Sequence, residues 1–102
     1  MPTAPYVTNP PDTSSHTHSA TSVLTWNMGA ISHYSSKVLI GTLPGWSDVY
    51  TGKEIVNSAT PVTDSTVPTP GGGIPLYTKI QYKQSKTGIW RNGDTITSFT
   101  CN

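Results

Sequence analysis

Residues 21–50 read TSVLTWNMGAISHYSSKVLIGTLPGWSDVY, and this stretch decides the fold. Leu24 and Trp26 are two apart, so in an extended chain both point to one face of a sheet. Val38, Leu39 and Ile40 form a β-preferring run. Strands are expected at 21–27 and 34–41, joined by a loop over 28–33. On the second, Tyr34, Ser36, Val38 and Ile40 share one face and Lys37 and Leu39 the other. Residues 42–47 form a turn, with Pro44 presetting φ and Gly45 free to take a positive φ. Leu24, Trp26, Val38 and Ile40 are the expected core.

Downstream, residues 48–51 and 54–56 read as short strands and 60–67 as a weakly alternating fifth. Residues 68–73 are a Pro/Gly-rich loop. The clearest late strand is 76–83. Leu76, Thr78, Ile80 and Tyr82 face one way; Tyr77, Lys79, Gln81 and Lys83 face the other. Residues 85–88 turn the chain, Asn92-Gly93 signals a hairpin or bulge, and 95–101 is the last strand. About six or seven short strands with frequent turns and no helical periodicity predict an all-β, two-sheet antiparallel β-sandwich over 21–102.

Upstream, Pro2, Pro5, Pro10 and Pro11 forbid a helix, and only Tyr6 and Val7 offer a short edge strand. Residues 1–20 are therefore expected as an extended N-terminal arm that orders on a partner surface.

Composition narrows the function. The 102 residues fit one domain with a thin core. Charged residues are 11% and the net charge is +1, so no basic stripe exists to neutralise nucleic-acid phosphates or hold a membrane surface. Three tryptophans and five tyrosines argue against disorder. The longest apolar run is three residues, far short of a membrane span. The segment from Met1 has no basic or apolar leader region; with Met1 as the natural start, the chain is expected to be made and kept in the cytoplasm, or to leave only when a cell lyses. The single cysteine, Cys101, cannot close an internal disulfide; it reads as a spare thiol, with an intermolecular bridge as the alternative.

The stretch from Val38 to Tyr50, VLIGTLPGWSDVY, is similar to a VGTTPGGSDVY pattern in fibronectin-like modules of bacterial surface proteins. A Leu-x-Trp strand followed by a tyrosine-bearing strand without disulfides likewise resembles fibronectin type III domains. Val67-Pro68, the Leu76–Ile80 run and Gly88-Ile-Trp90 look like that group's later strands, so the resemblance covers about residues 20–100. It implies an immunoglobulin-like sandwich and a habit of adhesion or spacing, with no chemistry attached. The apolar phase turns Tyr77 outward, so a tyrosine corner is not carried over.

Candidate chemistry is sparse. His16 and His18 would point to the same side of an extended strand and could ligate a metal, above all if a trimer brought six imidazoles together. A polar arm with two ordinary histidines is the default, and no metal or cofactor is expected. Asp48, Glu54, Asp64 and Asp94 sit on separate turns or strand ends and read as solvated carboxylates. No Gly-x-Ser-x-Gly elbow is present, and Gly71-Gly72-Gly73 lacks the lysine of a phosphate loop. Tyr6 and Val7 in the arm, and Trp46, Tyr50, Tyr77, Trp90 and Arg91 on the domain, make up the candidate interaction surface. The competing reading has Trp46 and Trp90 covering the ends of the core.

The function expected from these features is that of a non-enzymatic structural protein of a bacteriophage virion. It would be a capsid decoration (cement) protein bridging the major capsid protein lattice, or a small tail or fibre component, located in the virion, with a homo-oligomer (trimer) as one arrangement. An adhesion or carbohydrate-binding module, with the aromatics stacking on glycan, is the alternative.

Overall fold

The computed structural model describes residues 5–17, 21–57, 61–93 and 95–102, and among them the period-two patterning folds into eight strands and no helix. They are β1 (Tyr6–Asn9), β2 (Ser14–His16), β3 (Thr21–Asn27), β4 (Ser35–Gly41), β5 (Val62–Pro68), β6 (Ile74–Lys83), β7 (Arg91–Asn92) and β8 (Thr97–Cys101). A three-stranded sheet has the order β1-β3-β5. A five-stranded sheet has the order β2-β8-β6-β4, with β7 also paired to β6.

The two sheets meet over one shared core, the layering of a β-sandwich. Leu24 and Trp26 of β3, Val62 and Val67 of β5, and Val7 of β1 come from one sheet. Val38 and Ile40 of β4, Leu76 and Ile80 of β6, and Phe99 and Cys101 of β8 come from the other, and Met28 fills the end. The inward phases expected for β3, β4 and β6 all hold. Cys101 is a buried free thiol, so it serves packing. Burying about a dozen such side chains is the main stabilising term for a chain of this size.

Polar groups that enter this core are paired. Ser36 follows the inward phase of β4, and its hydroxyl accepts a 2.9 Å hydrogen bond from Trp26 Nε1 across the sheets. Thr78 and Thr97 face each other across β6 and β8, their hydroxyls 2.5 Å apart. His33, buried in the loop before β4, is the exception: its imidazole bonds the Ile31 carbonyl through Nδ1 at 3.1 Å, while its Nε2 has no partner among the described residues.

Four expectations are corrected. First, the described part of the 1–20 segment is not an extended arm. β1 pairs with β3 and β2 with β8, so the segment contributes one strand to each sheet. Backbone and carboxylate lock it in place: Thr13 N donates to Ser98 O at 2.7 Å, and Ser98 N donates to Asp12 Oδ1 at 2.9 Å. Secondly, the β2–β8 pairing is parallel, so the larger sheet is mixed. Thirdly, residues 48–56 form no named strand. Their backbone bridges to β4 are isolated ones, at Ile40–Tyr50 and Ser36–Ile55. Gly52 lies between the bridges with φ +78°, where a Cβ would stand 2.2 Å from Val38 O, so the close approach demands glycine. Finally, β5 does not keep one phase. Ser22 pairs with Val67 and Leu24 with Asp64, so Ser65 and Thr66 together oppose Val23 in a bulge. Asp64 keeps the inward phase of Val62, and the bulge then turns Thr66 out and Val67 in.

Candidate interaction surface

The outward side of the β4–β6 pair is built by register. Ser35 lies opposite Lys83, Lys37 opposite Gln81, Leu39 opposite Lys79 and Gly41 opposite Tyr77. Alternation fixes these eight residues on the side away from the core, because Ser36, Val38, Ile40, Thr78 and Ile80 are fully buried on the other. Leu39 is nonetheless only 5% exposed, so its neighbours cover it.

Trp90 lies on this outward side. Lys37 Nζ stands 4.1 Å and Lys83 Nζ 4.8 Å from the centroid of its ring, both within cation–π range. Lys83 Nζ also reaches Glu54 Oε2 at 3.6 Å, and Ser35 Oγ donates to the same oxygen at 2.5 Å. The Ser35 hydrogen bond, helped by the charges of Lys83 and Lys37 and opposed by partial burial, holds the Glu54 carboxyl below its ordinary range. Gln81 Nε2 donates to Asn92 Oδ1 at 2.8 Å and fastens β7 beside the indole.

The 41–50 corner closes one end of this face. Trp46 N donates to Leu43 O at 3.0 Å around Pro44 and Gly45, and Gly45 takes φ +84° as expected. The backbone of Trp46 crosses the outward side of Gly41, where a Cβ would stand 2.4 Å from Trp46 O. Thr42 clamps the turn, its amide donating to Asp48 Oδ1 at 2.9 Å and its hydroxyl to Oδ2 at 2.7 Å. The hydroxyl bond first, then the amide bond, pulls the Asp48 carboxyl below its ordinary value. The Trp46 side chain is left 54% exposed.

The expected surface residues therefore divide. Trp90 and half-buried Tyr77 share the outward face of the larger sheet, and Trp46 stands at its corner; neither tryptophan belongs to the core cluster. Tyr50 is corrected: it packs against the core, and its hydroxyl donates to Asp64 Oδ2 at 2.7 Å. Val7 is corrected as well, being buried in the core opposite Trp26, while Tyr6 is half-buried on β1. Arg91 pairs with Tyr82, whose side chain packs against the core, so it does not join the Trp90 side.

Asp64 is the carboxylate whose reading changes most. It is buried rather than solvated, and Oδ1 accepts from both the amide and the hydroxyl of Thr66 at 2.9 Å. Burial pushes its carboxyl up, but the Thr66 amide, the Tyr50 and Thr66 hydroxyls and the charge of Lys53 outweigh it, and the net shift is downward. Burial, with Asp64 beside it, pushes the Tyr50 phenol up. Asp94 and His18 lie outside the described residues. His16 Nε2 is 2.7 Å from Ser14 Oγ, and among the described residues no three His, Cys, Asp or Glu side chains gather as a metal shell.

Sequence reasoning missed Lys37, Lys83 and Glu54 as part of the Trp90 surround. Part of the signal was present: Lys79 and Lys83 were already placed on the outward phase with Tyr77. What was missing was the register that sets Lys37 diagonal to Lys83. No family model, curated protein or solved structure matches this chain.

Proposed function

We propose that this chain is an immunoglobulin-like, fibronectin type III-like module that works as a non-enzymatic structural protein of a bacteriophage virion. It docks on other virion proteins, above all on the major capsid protein lattice as a decoration protein. The strand order supports the fold type: a three-stranded sheet β1-β3-β5 covers a larger sheet in which β4, β6 and β8 are neighbours, and the first segment is shared between the two. The resemblance of residues 38–50 to fibronectin-like modules points the same way.

The observation that carries the docking role is the outward face of β4 and β6. It places Trp90 and Tyr77, aromatic types favoured at protein contacts, beside lysines that can set the charge of the partner. Repeated over a lattice, a modest contact of this kind gains strength through avidity.

The test is co-sedimentation of the purified chain with phage capsids and with isolated tails. Saturable attachment to either particle at a fixed number of copies is the expected result. Absence of attachment to both overturns the proposal. The exposed indole of Trp46 favours a second reading, a glycan-binding module. In that case glycan binding should be lost in Trp46→Ala while melting is unchanged.

A further inference from the structure

We propose that the outward face of β4 and β6 receives an acidic surface of a protein partner. Partner carboxylates would sit on Lys37, Lys79 and Lys83, and partner apolar side chains on Trp90 and Tyr77. The inference rests on the docking reading above and names the chemistry of what is docked.

Charge is distributed unevenly. The chain has six basic residues, and Lys37, Lys79 and Lys83 all occupy this one face by register. The described carboxylates are elsewhere, except Glu54: Asp64 is buried in the other sheet, Asp48 is clamped to Thr42, and Asp12 accepts from the Ser98 amide. Two ammonium groups converge on the single ring of Trp90, and like charges that close repel. Glu54 offsets this only in part, standing 3.6 Å from Lys83. A further carboxylate brought in by a partner would complete the neutralisation.

The face is also prepared for contact. The Lys83 side chain is only 18% exposed, and both lysines are held against the indole, so little rotamer freedom remains to be lost on docking. The choice of protein over nucleic acid follows from the same residues. A phosphodiester strand needs a longer run of cations than three lysines interrupted by Leu39 and Tyr77, and Arg91 is directed away from this side. An aromatic centre with a charged rim is what a protein interface uses.

The test uses the full chain, with tryptophan fluorescence and equilibrium binding to a decaglutamate peptide at low salt. A decalysine peptide and a polyuridylate strand serve as comparisons. Decaglutamate should perturb the fluorescence and bind with an affinity that falls as salt is raised. The double substitution Lys37→Gln/Lys83→Gln should weaken binding about tenfold or more. Lys86→Gln, in the exposed turn after β6, should leave it unchanged, and melting curves would establish that each variant is folded. Absent binding at millimolar peptide, equal loss in Lys86→Gln, or tighter binding of polyuridylate each overturns the inference. Particle co-sedimentation separates the two proposals. Attachment unaffected by the double substitution sinks the acidic-partner inference alone, whereas decaglutamate binding without attachment to any particle sinks the virion reading alone.

Discussion

The Tyr50 hydroxyl donates a 2.7 Å hydrogen bond to the buried carboxylate of Asp64, linking the segment that edges the larger sheet to β5 of the smaller one. Asp64 also holds the Thr66 amide and hydroxyl, so one side chain closes the β5 bulge and ties the two layers together. Tyr50→Phe leaves one carboxylate oxygen without its donor and should cost about 1–3 kcal/mol. Asp64→Ala removes three hydrogen bonds to a charged acceptor and should cost more, on the order of 3 kcal/mol or above. In a double-mutant cycle by denaturant unfolding, the two changes should couple by about 1 kcal/mol or more. Additive losses would mean that the Tyr50–Asp64 bond contributes nothing.

The same pair shapes the pH dependence. The folded Asp64 carboxyl lies below its unfolded value of about 4, so its stabilisation is full above about pH 5 and is lost as pH falls through the folded value. The folded Tyr50 phenol lies above its unfolded value of about 10, so its contribution is present below that pH and is lost as pH rises through the folded value. Melting temperature should therefore be flat near neutrality and fall at both extremes. Asp64→Asn should flatten part of the acid limb, with Asp48 and Glu54 supplying the remainder. In an alkaline absorbance titration Tyr50→Phe should delete the step at highest pH. A titration in which that step survives would place the raised phenol elsewhere.

The fold was legible where side-chain period and strand coincide. β3 showed itself through Leu24 and Trp26, β4 through Val38 and Ile40, and β6 through Leu76 and Ile80, because in each the residues that reach the shared core keep one side of the period-two alternation. β2 was not legible, because Ser14-Ser15-His16 carries no apolar residue to mark a face. Its place is set by backbone pairing with β8 and by the Asp12 carboxylate. Tyr50 was misread for a related reason: the 48–56 segment pairs with β4 through isolated bridges and not a continuous ladder, and an irregular path has no period to read. Asp64 escaped because it shares the inward phase of Val62 but carries a charge where the period leads one to look for an apolar side chain, and the bulge after it hides that phase. For the candidate surface, the aromatic types were visible but their sharing of a face depended on register.

Trp26 gives a test of core packing that separates size from polarity. Its side chain is fully buried, and its Nε1 donates to Ser36, itself fully buried on the opposing sheet. Trp26→Ala should cost about 3–5 kcal/mol and unfold much of the population at ambient temperature. Trp26→Phe retains most of the ring but strands the Ser36 hydroxyl, at a cost of about 1–3 kcal/mol. Adding Ser36→Ala to Trp26→Phe should recover part of that loss in chemical denaturation. If Ser36→Ala makes the Trp26→Phe protein worse, the hydroxyl has another partner and the inter-sheet bond is not what holds it.

Gly52, packed against β4, and Gly41, the last residue of β4, differ from Gly45 at the tip of the corner. At Gly45 the backbone is at φ +84° but the space around a new Cβ is empty, so Gly45→Ala should cost only the left-handed penalty of about 1–2 kcal/mol. At Gly52 the same kind of φ is combined with a Cβ 2.2 Å from Val38 O, and the strand carbonyl cannot step aside without breaking the sheet edge. At Gly41 the clash is with the Trp46 backbone at 2.4 Å, with no positive φ to add to it. Gly52→Ala should therefore be the most damaging, Gly41→Ala intermediate through overpacking of about 1–3 kcal/mol, and Gly45→Ala the mildest. Gly41→Ala should also displace the corner, read as a shift in tryptophan emission that Gly45→Ala does not produce. Equal melting points for the three variants would show that the corner and the 48–56 segment yield freely, and that neither is seated on β4.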